Sequence, residues 1–327
     1  MRLLVTGGAG YIGSVVARRL VESGHTPILI DDLSMGHREA AGECELVVGD
    51  FGDPHLVSEI LSSRRIEAVI HLAASSLVGE SVQNPARYYR NNLVRSLALL
   101  DVMLERGVGR LVFSSTAAVY GEPIALPIDE SHPTRPTNPY GETKLALETA
   151  LQWYQAAHGL AFVSLRYFNA AGATPDALLG EAHNPETHLV PNVLRAALDS
   201  EPVPVFGTDY QTPDGTAVRD YIHILDLADA HIRALERLEV VGGASVFNLG
   251  NGSGFSVLQV IEAARRVTGR SIPIRKAPRR PGDPETLVAS SARARAELRW
   301  SPKFPELESI IETAWKFLLA HLRGYNP

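Results

Sequence analysis

Tyr140 and Lys144 stand four residues apart, a spacing that puts both side chains on one face of a helix. An ammonium within reach of a phenol stabilises phenolate, and an oxidised nicotinamide nearby would act in the same direction, so the pair can serve as an acid/base. Phe113-Ser114-Ser115-Thr116 closes a β-rich run with hydroxyls that can bridge a substrate oxygen. Taken alone, a tyrosine and a lysine at this spacing are ordinary helix surface, and a Ser-Ser-Thr strand end can satisfy itself through its own hydroxyls.

Gly7-Gly8-Ala9-Gly10-Tyr11-Ile12-Gly13 directly follows the first apolar run and opens a helical pattern. Glycines at Gly7, Gly10 and Gly13 permit a tight turn and close approach of backbone to a pyrophosphate, which free N–H groups at the helix start would hold. Asp31 ends the next run, 18 residues after Gly13, where a carboxylate can accept from both hydroxyls of an adenine ribose. Asp32 lies beside it, and two carboxylates would repel a 2′-phosphate, so NAD is expected rather than NADP. Asp50, after the third run, sits where it can receive the adenine amino group; an isolated aspartate in a turn can equally be a local cap.

These residues need a frame, and the chain supplies one. Strands are expected at Arg2–Thr6, Thr26–Asp31, Glu45–Val48, Ala68–His71, Arg110–Ser115 and Ala161–Arg166, alternating with helices near Tyr11–Glu22, His55–Ser62, Pro85–Arg106 and Tyr140–His158. Asn84-Pro85 and Asn138-Pro139 mark two helix starts, with asparagine as cap and proline where no N–H is needed. The alternation implies an α/β fold with a doubly wound parallel sheet of the Rossmann type. After Arg166 the loops lengthen and fill with Gly, Pro, Asn and Asp, longest at Tyr167–Thr187 and Arg275–Glu285. A strand at Val218–His223 and helices near Leu225–Leu238, Val257–Thr268 and Leu307–Leu319 still follow. The expected division is a dinucleotide-binding domain at 1–167 and a smaller α/β substrate lobe at 168–327, with segments near 218–238 returning to the first domain.

Composition narrows the partners. The 327 residues carry a net charge of −6 and 45% hydrophobic residues, an ordinary globular mix without broad attraction to nucleic acid or anionic lipid. No apolar run reaches the roughly 18 to 20 residues that a membrane span requires. Neither nucleic acid nor membrane is expected as a partner. Cys44 is the only cysteine, which excludes an intrachain disulfide and suits a reducing, cytoplasmic setting. His183, Glu186 and His188 lie close in sequence, but their spacing matches no zinc motif, and no metal is assigned.

The glycine loop, Ser114-Ser115-Thr116, Tyr140-Gly141-Glu142-Thr143-Lys144 and Arg166-Tyr167-Phe168-Asn169 resemble the extended short-chain dehydrogenase/reductase family. Segments around Val78-Gly79-Glu80-Ser81-Val82, Asp214 to His223 and Arg279 to Asp283 are most like members that invert C4 of a UDP-hexose. The resemblance implies a bound NAD, oxidation to a 4-keto sugar, rotation, and return of the hydride to the other face. It makes Tyr140 the acid/base, Lys144 its tuning partner and anchor of the nicotinamide ribose, and Thr116 the partner of O4. Cofactor contacts are implied for Tyr11, Ile12, Phe51, Leu72, Ala73, Ala74, Asn92, Ser114 and Tyr167. Substrate contacts are implied for Asn169, His188, Leu189, Pro204 and Phe206, with Arg219 and Arg280 as a diphosphate clamp and Asp283 on the uridine ribose. Family members pair long helices into a dimer contact, which implies a homodimer here.

Several positions depart from that pattern. Ser76 stands where some members have a cofactor-contacting lysine, His188 where some have asparagine, and Arg95 where glycine is frequent. Leu287, at a position that helps set the size of the sugar pocket, is smaller than tyrosine, which implies room for UDP-N-acetylhexosamines. A 4,6-dehydratase would need an acid and a base where Ala117 and Ala118 stand. Epimerisation of a pentose or uronate sugar, and a non-catalytic dinucleotide sensor, are the remaining alternatives; such sensors tend to lose the tyrosine, which is present here.

Overall fold

A computed structural model describes residues 1–280 and 284–325. Its strands in chain order are Arg2–Thr6 (β1), Thr26–Asp31 (β2), Glu45–Val48 (β3), Ala68–His71 (β4), Arg110–Thr116 (β5), Ala161–Tyr167 (β6), Asn169–Ala171 (β7), Val203–Phe206 (β8), Val218–His223 (β9) and Ala244–Leu249 (β10). Seven of these form one sheet in the order β10-β6-β5-β4-β1-β2-β3, every pairing parallel. The expected Rossmann-type α/β sheet is therefore present, with β10 added at its edge.

Helices Tyr11–Glu22 (α1), Pro54–Ser63 (α2), Val78–Gln83 (α3), Pro85–Tyr88 (α4), Arg95–Glu105 (α5), Pro139–His158 (α6), Leu189–Asp199 (α7) and Ile224–Val240 (α8) connect these strands. Side chains alternate along each strand, so Leu3 and Val5 join the core under α1 and α8, whereas Leu4 joins the core under α2, α5 and α6. Burial on both faces is why the strands read as near-continuous apolar runs.

The expected helix over 85–106 is not one α-helix. A π-helical turn, Tyr89–Val94, separates α4 from α5 and inserts beside the cleft. The spacing of apolar residues on either side cannot register one extra residue in a turn. Chain 224–249 returns to the sheet: α8 packs on α1, and β10 extends β6 from Ala244 opposite Phe162 to Leu249 opposite Tyr167.

The remaining chain builds a smaller lobe. Here β9 pairs with β7, with Gly254–Ser256 and with Thr286–Leu287, while β8 pairs with Ile274–Ala277. Helices α7, Val257–Thr268 and Leu307–Ala320 bury Val193, Leu194, Ile261, Ile310 and Ile311 against it. The buried Asp220 carboxylate accepts from the backbone N–H groups of Asn251, Gly252 and Ala289, tying two separate segments to β9. Among the described residues, no helix is long and apolar enough to cross a membrane.

Candidate active site

The C-terminal ends of the sheet strands open into a cleft of ≈ 1670 Å³ between sheet and lobe. A pocket for one drug-sized ligand spans about 300–1,000 Å³, so this one has room for a dinucleotide and a second nucleotide together.

At its floor the glycine loop is fixed by sterics. Gly7 has φ +68°, and a Cβ there would meet the backbone of Ala73 at 2.9 Å; a Cβ on Gly13 would lie 2.0 Å from the Gly7 carbonyl oxygen. Gly10 is the N-cap of α1, and no side chain caps the helix. The uncapped N–H groups face the cleft, a cradle that fits a pyrophosphate. Asp31 is buried at the rim, its two oxygens accepting from Ala9 N at 3.0 Å and Leu33 N at 2.9 Å, which leaves lone pairs for a ribose. Burial, partly offset by these N–H groups, raises its pKa. Asp32 is exposed beside it and folds back onto Ser34.

Tyr11, Ile12, Leu72, Ala73, Ala74 and Phe51 also line the cleft, and Asp50 stands at its edge between the lining residues Gly49 and Phe51, 37% exposed, whereas Asn92 lies behind the wall. Asn92 is buried with its amide spent: Oδ1 accepts from Ser75 N at 2.8 Å, and Nδ2 donates to Ser75 O at 2.9 Å and Thr143 Oγ1 at 3.3 Å. It braces the loop after β4 against α6, and its neighbour Asn91 faces the cleft instead. Asp50 pairs with Arg95.

Thr116 at the end of β5, Tyr140 and Lys144 on the first turns of α6, and Tyr167 at the end of β6 converge on one wall. Asn138 caps α6 by accepting from Gly141 N at 2.9 Å, which fixes the helix start and with it the Tyr140 phenol. The Thr116 hydroxyl stands beside the Tyr140 phenol and favours its ionised form. Burial outweighs the Thr116 hydroxyl and raises the Tyr140 pKa, so the phenol holds its proton in this state. Lys144 is buried, donates to Ser114 O at 2.7 Å and lies 4.9 Å from the Phe113 ring centroid. Burial pushes its pKa down to about 7, opposed by the Glu148 carboxylate. The Ser114 and Tyr167 hydroxyls share a hydrogen bond. Behind them Glu148 and Arg166 form a buried ion pair, joined by the Ser115 and Tyr120 hydroxyls.

The opposite wall belongs to the lobe. Asn169, His188, Leu189, Pro204, Phe206, Arg219, Arg280 and Leu287 all line it. The Arg280 guanidinium lies 4.0 Å above the Phe206 ring, and Arg219 donates to Val218 O and Pro284 O, each at 2.7 Å. Asp283 lies outside the described residues.

Sequence spacing did not single out Glu181. The structure packs its carboxylate against both His183 and His188. Burial alone would raise its pKa, but the His188 and His183 rings overcome this and hold it down at about 2. Burial would lower His188, but the Glu181 carboxylate pushes it up to about 9.

The model of the NAD dependent epimerase/dehydratase family matches residues 3–250, and the chain belongs to that family. Its particular likeness is to UDP-glucose 4-epimerases. That of Halalkalibacterium halodurans is 54% identical over 327 residues, covering 100% of this chain and 98% of its own. Among solved structures, UDP-glucose 4-epimerase from Brucella ovis in complex with NAD superposes with a TM-score of 0.94 at 46% identity, covering 96% of this chain and 97% of that one. The Bifidobacterium longum enzyme in complex with NAD+ and UDP gives 0.95 at 37% identity, covering 99% and 100%.

Proposed function

We propose that Tyr140 is the acid/base through which this chain, an NAD-dependent isomerase, inverts C4 of a UDP-hexose such as UDP-glucose or UDP-galactose. The observation that carries the assignment is the convergence of the Tyr140 phenol, the Thr116 hydroxyl and the buried Lys144 on one wall, beside the glycine loop. Bound NAD supplies the acceptor for the C4 hydride and its later return. Gly7, Gly10, Gly13 and the start of α1 hold the pyrophosphate, and Asp31 takes the adenine ribose.

Thr116 positions O4 of the sugar, and Tyr140 removes the O4 proton as the C4 hydride leaves, giving a 4-keto sugar. The lobe keeps the UDP portion while the hexose turns, and Tyr140 returns its proton to O4 when hydride is added to the other face. Arg219 and Arg280 supply positive charge for the diphosphate, His188 offers it a ring N–H, and Phe206 and Pro204 flank the base. Lys144 lies under Ser114, placed to fix the nicotinamide ribose and to favour phenolate once a cationic ring is adjacent.

The test uses purified protein and UDP-galactose without added cofactor. C4-inverted product is expected; a stable 4-keto product, or none with NAD bound, overturns the reading. A second sugar class is supported by Leu287, a leucine lining the sugar side of the cleft: UDP-N-acetylgalactosamine should also turn over, and no turnover of it excludes that extension. A homodimer is supported by Trp153, 71% exposed on α6, and Val94, 59% exposed before α5. Sedimentation at micromolar concentration tests it. Cys44 as the single cysteine supports a cytoplasmic location.

A further inference from the structure

The loop between β7 and α7 gathers four side chains that the epimerase chemistry does not use as a group. One donor atom each from Glu181, His183, Glu186 and His188 lies within 4.8 Å of the others. His183 Nδ1 is 3.0 Å from Glu181 Oε1 and 4.0 Å from Glu186 Oε2, and His188 Nδ1 is 3.9 Å from Glu186 Oε1 and hydrogen-bonded to Glu181. Four ligands at about 2.0–2.2 Å from a tetrahedral ion are roughly 3.3–3.6 Å apart, so the separations to His183 and Glu186 lie on either side of a metal shell and the Glu181 to His188 contact must open.

Charge and burial agree with this. The two carboxylates are 6% and 7% exposed, and among the described residues their ion-pair partners are the two histidines. Buried carboxylates need compensation, and one divalent cation with two neutral imidazoles balances both. Glu186 is aimed by backbone: its Oε1 accepts from Thr187 N at 2.7 Å and His188 N at 2.8 Å, turning Oε2 toward His183. Supporting hydrogen bonds of this kind orient metal ligands. The His183 ring is also held edge-on against Tyr11 of the glycine loop and against His188.

We propose that Glu181, His183, Glu186 and His188 form a site for one divalent transition ion, two imidazole nitrogens and two carboxylates suiting Zn²⁺. The ion clips the loop that joins the dinucleotide floor at Tyr11 to the start of α7, leaving His188 as its most open ligand, 44% exposed on the cleft side. This is a second site on the cleft wall, and its test reads metal directly, so its failure and the failure of the epimerase reading are distinguishable.

Untagged, NAD-loaded protein is freed of metal with a chelator, equilibrated with Zn²⁺, and assayed for bound metal by mass spectrometry after gel filtration; Co²⁺ serves as the optical probe. The expected result is near-stoichiometric Zn²⁺, an intense visible Co²⁺ band of tetrahedral type, and at least about tenfold weaker binding in His183→Ala and Glu186→Gln. His55→Ala, at an exposed helix start, should leave binding unchanged. Zn²⁺ should raise the thermal midpoint of the wild type and not that of Glu186→Gln, a comparison valid even if that variant is less stable. Bound Zn²⁺ below a tenth of an equivalent, or equal binding by His183→Ala, overturns the proposal; in that event protons alone neutralise the cluster.

Discussion

The Arg95 guanidinium lies 3.0 Å from the Asp50 carboxylate, joining the first turn of α5 to the loop after β3. The same arginine donates to Asn91 Oδ1 at 2.8 Å within the π-turn, and its stem covers Gly52, where a Cβ would meet Arg95 Cγ at 2.5 Å. Where glycine is frequent in the family, this chain thus carries a side chain that holds the proposed adenine acceptor and itself lines the cleft.

Arg95→Gly should therefore release NAD faster, by up to about fivefold, the equivalent of roughly 1 kcal/mol for a solvent-screened pair. Both partners are more than a third exposed, so global stability should change little. Dialysis followed by measurement of residual NAD checks the first point, and urea unfolding the second. Unchanged retention would separate Arg95 from the adenine end.

Tyr140→Phe should lower turnover by about 10² to 10⁴-fold while leaving NAD bound, since it removes a proton-transfer group and preserves the ring that meets Tyr88 edge-on, 6.5 Å between centroids. Steady-state kinetics with a cofactor assay on the same sample gives the answer. A loss of NAD in parallel with activity would assign the phenol to binding instead.

Glu148→Gln should destabilise the fold by about 3 kcal/mol, because Arg166 would keep its charge in a site only 8% exposed. Ser115 and Tyr120 share that network, so the ends of β5 and β6 should loosen together. Equilibrium unfolding in urea at neutral pH measures the cost, and a change below 1 kcal/mol (roughly the worth of a surface pair) would contradict a buried, unreplaced charge.

Acid should unfold the protein through three histidines. Burial, with the Lys144 charge as a lesser cause, lowers His71 to about 3; burial lowers His223 to about 4; burial outweighs the Leu227 carbonyl to lower His231 to about 4. Each stays neutral when folded and takes a proton when unfolded, so the unfolded state binds more protons between the two pKa values. Stability is then full above about pH 6.5 and falls as pH drops toward 4, with a limiting slope of about 1.4 kcal/mol per pH unit for each histidine. Urea midpoints from pH 7.5 to 4.5 measure the slope, and His231→Leu should reduce it.

The amino-acid sequence by itself determined the alternating strands and helices, the glycine loop and the shared face of Tyr140 and Lys144, because period, capping and tight turns are short-range effects. It did not contain, in readable form, the π-turn at Asn91 and Asn92, whose single extra residue leaves the apolar spacing intact. Nor did it give Ala244–Leu249 its place, since joining β6 depends on parallel pairing with a segment some 80 residues earlier. Tertiary structure alone brought Arg95 to Asp50, withdrew Asn92 behind the wall, and set Glu181 between His183 and His188. Those contacts arise where separate loops meet at the ends of the strands, and which loops meet is decided by strand order and packing rather than by the local pattern of either partner.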